Sequence, residues 1–270
     1  QHRSEDPMTL AHAFADEGYP FAPDALPPHR LRAGRYELRF ARSRPELEQV
    51  LRLRFEVFNK EMGEGLDEAW RTGLDEDGLE EQFHHLIIAE VASGRPVGTY
   101  RLQTGEMARA GAGFYSAGEF AVDRLPAAML AAAVEVGRAC VDKDHRNGRV
   151  LQLLWRGLAT YLSWNRKSLL FGCCSLTGDD EGAALALHGW LVHEGHLHPE
   201  WEAPPLAGLE CRGAPSPRSP ALPPLFGGYL ALGAKALGRP AVDRLFKTID
   251  WLVVLDTDTL DDRTRRTFFR

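Results

Sequence analysis

The stretch Glu135-Val-Gly-Arg138-Ala-Cys-Val141, followed by Asp144-His-Arg146-Asn-Gly148-Arg149-Val150, constrains the fold more than any other part of this sequence. Its first half reads as a strand carrying an acid and a base around a glycine. Its second half reads as a tight turn that opens a helix. A strand entering a helix through a glycine turn presents free backbone N–H groups and the positive end of the helix dipole, a ready place for a phosphate. The acid–base pair lies just upstream. Together the two halves predict an enzyme that handles a phosphate-bearing carrier. Neither does so alone, because a single glycine turn before a helix is common.

The pattern around this stretch is that of a mixed α/β domain. Strands are expected over Tyr36–Arg42, His85–Val91, Val97–Thr104, Val134–Asp142, Leu169–Ser175 and Trp251–Asp256. Helices are expected over Pro45–Met62, Asn147–Asn165 and Gly182–Glu194, and Ala127–Ala133 reads as a short helix. In the second helix Val150, Leu154, Leu158 and Leu162 recur every fourth residue, the stripe of a core-facing helix. Gly63–Glu81 is an acidic loop or broken helix, and Ala203–Pro224 is too rich in proline and glycine to be regular. Residues 1–35 read as a tail, with Met8 as the native start, and 36–270 as one domain with a C-terminal extension.

Several classes are disfavoured. A formal net charge of −6 over 270 residues gives no general attraction for nucleic acid or an anionic membrane. Four cysteines without a Cys-x-x-Cys spacing make neither a disulfide framework nor a zinc site and fit a reducing, cytosolic compartment. No apolar run approaches the roughly 18 residues of a membrane span.

Arg54 is the sharpest local anomaly. It falls on the face of Leu47, Leu51 and Phe58, so an arginine points inward and needs a carboxylate or a ligand anion. The alternative is a packed stem whose guanidinium reaches water. Glu135 and Arg138, three apart, would face opposite sides of a regular strand. Gly137 between them invites a bulge that turns both to one side and opens a slot beside the strand. Arg101 gains weight only beside these residues. His188, His193, His196 and His198 fit no metal-ligand spacing and read as a polar helix end. Cys173 and Cys174 read as core. Lys143–Lys167 holds six basic residues and one acid, either a solvated face or a docking patch for an acidic partner.

Taken together, Arg54-x-x-x-Phe58, Gly98-Thr-Tyr-Arg101-Leu and Glu135-x-x-Arg138 resemble the signature shared by acyl-homoserine-lactone synthases and ornithine–acyl-carrier-protein N-acyltransferases. His85-Leu-Ile-Ile, Gly113-Phe-Tyr-Ser116-x-x-Glu-Phe120, Leu153-Leu-Trp155, Leu170-Phe-Gly-Cys173 and Gly228-Tyr-Leu-x-Leu-Gly-Ala234 narrow the resemblance to the ornithine-lipid enzymes and their haemolysin-like relatives. It spans about residues 36–260.

The resemblance implies a GNAT-like N-acyltransferase fold: one mixed twisted sheet flanked by helices, with a bulged central strand. The implied reaction moves a (3-hydroxy)acyl chain from acyl carrier protein to the α-amino group of ornithine. No cofactor is implied beyond the carrier's acyl-phosphopantetheine, which acts as co-substrate. Alternatives are the same chemistry on glycine, lysine or another amine, lactone synthesis, or a non-enzymatic haemolysin-like protein. Glu135 is the implied base, acting through water. Arg54, Phe58, His84, Arg101 and Arg138 are implied on the amine side. Ala139, Val141, Arg146, Gly148, Arg149 and Val150 are implied around the phosphopantetheine. There Val150 stands where relatives have a small residue, which predicts a site narrowed to a single phosphate. Glu80 and His84 stand where relatives often have aspartates. The apolar Leu225–Leu237 is expected to cover the acyl slot or to touch a membrane surface.

Overall fold

The computed structural model describes residues 18–217 and 222–269. Its centre is a nine-stranded sheet: β1 (Leu31–Ala33), β2 (Tyr36–Phe40), β3 (His84–Glu90), β4 (Pro96–Thr104), β5 (Ala133–Val141), β6 (Leu169–Thr177), β7 (Lys235–Ala236), β8 (Ala241–Asp243) and β9 (Thr248–Asp256). The spatial order is β1-β2-β3-β4-β5-β6-β9-β7, with β8 also on β9. Among the described strands, β5 and β6 are the one parallel pair.

Helices cover both faces. On one lies α1 (Arg44–Arg54), followed in chain order by the short α2 (Ala69–Thr72), α3 (Gly105–Ala110) and α4 (Ala127–Ala132). On the other lies α5 (Gly148–Asn165); α6 (Glu181–His193), α7 (Pro224–Ala231) and α8 (Asp262–Phe268) complete the set. Every residue of β4 is buried, as a strand covered on both sides must be. The α5 stripe Val150, Leu153, Leu154, Leu158 and Leu162 enters the main core with Leu86, Tyr100 and Val134. Each such buried side chain contributes about 1.5–3 kcal/mol. Gly157 lets α5 approach closely, since a Cβ there would lie 2.4 Å from Leu86.

The helix expected over Pro45–Met62 divides. It is α-helical to Arg54 and π-helical from Phe55 to Glu61, with Met62 N–H donating to Val57 O. The wider turn puts Val57 and Phe58 in one cluster with Leu53 and Cys140, and such turns often mark functional sites. The described part of the expected 1–35 tail lies against the domain. β1 pairs with β2, and the carbonyls of Phe21, Asp24 and Ala25 accept bonds from His84, Trp164 and Asn165. Short β1 carries too few residues to show a period. The expected start at Met8 lies outside the described residues. The Leu225–Leu237 segment contains α7, which covers the cavity described below. No helix among the described residues is long and apolar enough to cross a membrane.

One irregularity positions the site. Arg101 of β4 faces Gly137 of β5, but Thr99 faces Cys140. Arg138 and Ala139 of β5 therefore oppose Tyr100 of β4 alone, two residues against one, which is a bulge. The left-handed residue is Arg138 (φ 47°), and Gly137 is not among the positive-φ residues. Beyond the bulge the alternation is reset, so Arg138 and Cys140 meet α1 and its π-helical continuation on the face that also carries Glu135. On its other edge β5 pairs with β6 only over Ala133–Glu135. The two strands then part.

Candidate active site

The three arginines singled out in the sequence converge, and carboxylates of the acidic loop before β3 meet them. Arg54 Nε donates to Asp75 Oδ2 at 2.7 Å and Arg54 Nη2 to Glu80 Oε1 at 3.1 Å. Arg101 Nη1 reaches Asp77 Oδ2 at 2.6 Å and lies 3.6 Å from Glu80. Arg138 grips both oxygens of Asp75. Three cations thus meet three anions. Aromatic rings cover the guanidinium faces: Arg101 lies over Phe83 and Tyr115 at 4.5 and 4.8 Å, and Arg138 over Phe58 and Phe246 at 3.9 and 4.3 Å. Burial raises the Asp75 carboxyl, but the charges of Arg54 and Arg138 outweigh it and the net direction is down. The side chains of Arg54 and Arg101 are 1% exposed and that of Arg138 is 11% exposed, so Arg138 is the most open of the three toward a ligand.

Glu135 is not held by Arg138. Its Oε2 accepts from Gln103 Nε2 at 2.7 Å and from Tyr115 N–H at 3.0 Å; its Oε1 accepts from Ser116 N–H at 2.8 Å and Ser116 Oγ at 2.6 Å. All four partners donate, the bonding of an acceptor-only carboxylate. The Gly113–Phe120 segment is thereby fastened to β5. It continues to a second set of acids: Tyr115 Oη donates to Asp243 Oδ2 at 3.2 Å, and Glu119 lies beside Cys173 and Asp250.

Where β5 and β6 part, a cavity of about 980 Å³ opens, at the large end of the range for small-molecule sites. Arg101, Glu135 and Arg138 line one side of it, and Tyr115, Asp243 and Asp250 line its acidic part. Leu151, Leu154, Trp155, Phe226, Tyr229 and Val253 form a long apolar part beneath α5 and α7. The start of α5 borders it at Arg146, Asn147 and Gly148. One cavity therefore joins a charged region to a hydrophobic trough past a split strand pair.

Residues 53–156 match the family model described as an acetyltransferase (GNAT) domain. The chain is 35% identical over 252 residues to an L-ornithine N(alpha)-acyltransferase of Agrobacterium fabrum, covering 86% of this chain and 84% of that protein. It is 34% identical to one of Rhizobium meliloti, covering 86% and 83%. The chain belongs to the L-ornithine N(alpha)-acyltransferase family. Among solved structures it is similar to a CoA-dependent acyl-homoserine lactone synthase, with 15% identity, a TM-score of 0.46, and coverage of 83% of this chain and 88% of that one. Acyltransferase chemistry and the mixed α/β GNAT fold follow from family membership.

Within this family fold, the other residues expected at the site are scattered. Phe58, Ala139 and Val141 line the cavity. His84 does not. It projects from the opposite sheet face, bonded to Tyr161 Oη at 2.8 Å and Phe21 O at 2.6 Å, and burial lowers it to about 4. One residue of register separates it from His85, which faces the clamp side and bonds Glu80 O. Arg149 leans over the β1–β2 turn at Gly34. Val150 packs inward against Gly98, so its side chain does not narrow a phosphate site, contrary to the reading from sequence. The N–H groups of Arg149 and Val150 are already capped by Asn147 Oδ1. Arg146 is bidentate to Glu61 and donates from Nε to Val141 O. His145 sits between Tyr36, Arg35 and Arg95 and belongs to the sheet edge.

Asp75, Asp77, Gln103, Tyr115, Ser116, Glu119, Asp243 and Asp250 escaped the reading of residues as a site. The spacing Asp75-x-Asp77-x-x-Glu80 before a buried strand was the available signal for two of them, and the Gly113–Phe120 motif for three more.

Proposed function

We propose that this protein moves an acyl chain from the phosphopantetheine thioester of an acyl carrier protein onto the α-amino group of ornithine. The cavity carries the reading. Its apolar trough suits an acyl chain, its acidic and arginine-lined end suits a zwitterionic amine, and Glu135 lies where the two meet. The curated relatives' names supply the amine.

In this reading the thioester lies across the opening between β5 and β6, where backbone N–H groups beyond the bulge polarise its carbonyl. The phosphate rests near Gly148, with Arg146 exchanging Glu61 for it. Lys143, Arg146 and Arg149 attract an acidic carrier. The acceptor carboxylate pairs with Arg138. The amine nitrogen attacks the carbonyl carbon, Glu135 takes up its proton through a water, and the C–S bond breaks as the thiol leaves with a proton. Leu225, 40% exposed at the rim, offers a contact where an apolar product could pass to a membrane surface.

The test pairs purified protein with acyl-loaded carrier protein or acyl-CoA and a panel of amines, read by product mass. N-acylated ornithine formed from the carrier donor is expected. No acylated amine from either donor would overturn the proposal. Glu135→Gln should lower kcat by about 100-fold or more, the scale of a lost proton acceptor, while the carrier still binds. An unchanged kcat would remove Glu135 from the chemistry.

A further inference from the structure

Asp243 and Asp250 line the acidic part of the cavity, and Glu119 stands beside Asp250, with no basic side chain among the described residues paired to any of the three. Glu119 comes from the segment after α3, Asp243 from the end of β8 and Asp250 from β9. Glu119 is 7% exposed and Asp250 3% exposed. Glu119 Oε2 and Asp250 Oδ1 have no hydrogen-bond partner. Asp250 and Asp243 line the cavity, and ligand atoms of Glu119, Asp250 and Cys173 lie within 4.8 Å of one another. Among the described residues, none of the three acids forms an ion pair with a lysine or arginine, although the clamp nearby satisfies all of its own acids. Buried polar atoms are nearly always bonded, and like charges this close oppose one another's ionisation. Burial, followed by the charges of Asp250 and Asp243, pushes Glu119 up to about 10. Burial chiefly, with Asp243 and Glu64 adding, pushes Asp250 up to about 6. The group lacks a positive partner, and the cavity gives that partner a route in.

The type of cation follows from the donors. A side-chain ammonium brings three N–H donors and no acceptor, which matches vacant carboxylate oxygens. The placement fits too. The Gly113–Phe120 segment binds Glu135 through Tyr115 and Ser116 and reaches Asp243 through the Tyr115 hydroxyl. A single tyrosine, Tyr115, thus links Glu135 to the acidic group.

We propose that Glu119, Asp243 and Asp250 bind the side-chain ammonium of a diamino acid acceptor and select it over monoamino acids of the same length. This inference rests on the acyl-transfer reading above and adds the group that recognises the far end of the acceptor.

The test compares ornithine with norvaline, which has the same five-carbon skeleton without the terminal amine, as acceptors in the carrier-donor assay, for the parent protein, Asp250→Asn and Glu119→Gln. The parent should favour ornithine, and each variant should lower the ornithine-to-norvaline ratio of kcat/KM about tenfold or more, mainly through the ornithine KM, as expected for a lost charged hydrogen bond. Thermal-shift titration gives a second readout: the stabilisation by ornithine in excess of that by norvaline should vanish in both variants. Equal loss for both acceptors, or a parent that does not distinguish them, overturns the inference. So does a bound divalent metal whose removal by chelator abolishes ornithine binding. If the parent acylates no amine at all, the functional proposal fails instead.

Discussion

Two acidic regions flank the same cavity, and they solve the problem of buried charge in opposite ways. Around Arg54, Asp75, Asp77 and Glu80 are matched by three arginines, and aromatic rings cover the faces of Arg101 and Arg138. Around Asp250 the acids face one another and leave oxygens unbonded. The first region pairs all three of its carboxylates and holds the acidic loop, the π-helical turn and the bulged strand together. The second is completed only by something that enters. The matched cluster braces the architecture and leaves Arg138 the most open toward a ligand, whereas the unmatched one is left to recognition.

The widest separation between the two should come from deleting one arginine. Arg54→Ala strands Asp75 and Glu80 in the interior and should destabilise the fold by about 3–5 kcal/mol, measured by denaturant unfolding. A loss below about 1 kcal/mol would mean the clamp is not the brace described here. The acidic cluster should respond in the other direction. Asp250→Asn removes a buried charge that lacks a counterion and should stabilise the ligand-free protein near neutral pH by on the order of 1 kcal/mol.

The pH profiles sharpen the contrast. Asp75 has a depressed value when folded, so its contribution is present above the ordinary carboxylate range and is lost as pH falls. Asp250, raised from 3.8 to about 6, penalises the folded state increasingly as pH climbs between those values, with Glu119, Asp243 and Glu64 acting on it or beside it. Unfolding free energies followed from pH 4 to 7 should therefore show a flatter loss, or none, in Asp250→Asn relative to the parent. An identical slope would contradict the electrostatic reading. The smallest effect concerns Arg146, half-exposed and paired with Glu61. Arg146→Ala should change stability by less than about 1 kcal/mol but raise the KM for the carrier donor, in a salt-dependent way.

The same contrast explains what was legible in the sequence. Arg54 could be seen to point inward because a helix has a period, and an arginine on its apolar stripe breaks it. Its partners could not, because the Gly63–Glu81 loop has no period to say which carboxylate turns in. A bulge near Gly137 was foreseeable from a glycine between an acid and a base. Its centre at Arg138 was not, because Asp75, Phe58 and Phe246 together hold that arginine in a left-handed conformation disfavoured by about 1–2 kcal/mol. His84 and His85 show how one residue of register decides a face. Asp243, Asp250 and Glu119 come from three separate segments, and only the folded sheet brings them together.

The Gly113–Phe120 segment is pinned to Glu135 by the backbone N–H groups of Tyr115 and Ser116 and to Asp243 by the Tyr115 hydroxyl. A segment fastened at two points acts as a ruler. It fixes the span between the place where an acyl group changes hands and the place where a distant charge is met. Substitutions within it would recalibrate which length of acceptor fits without touching any group that takes part in bond making.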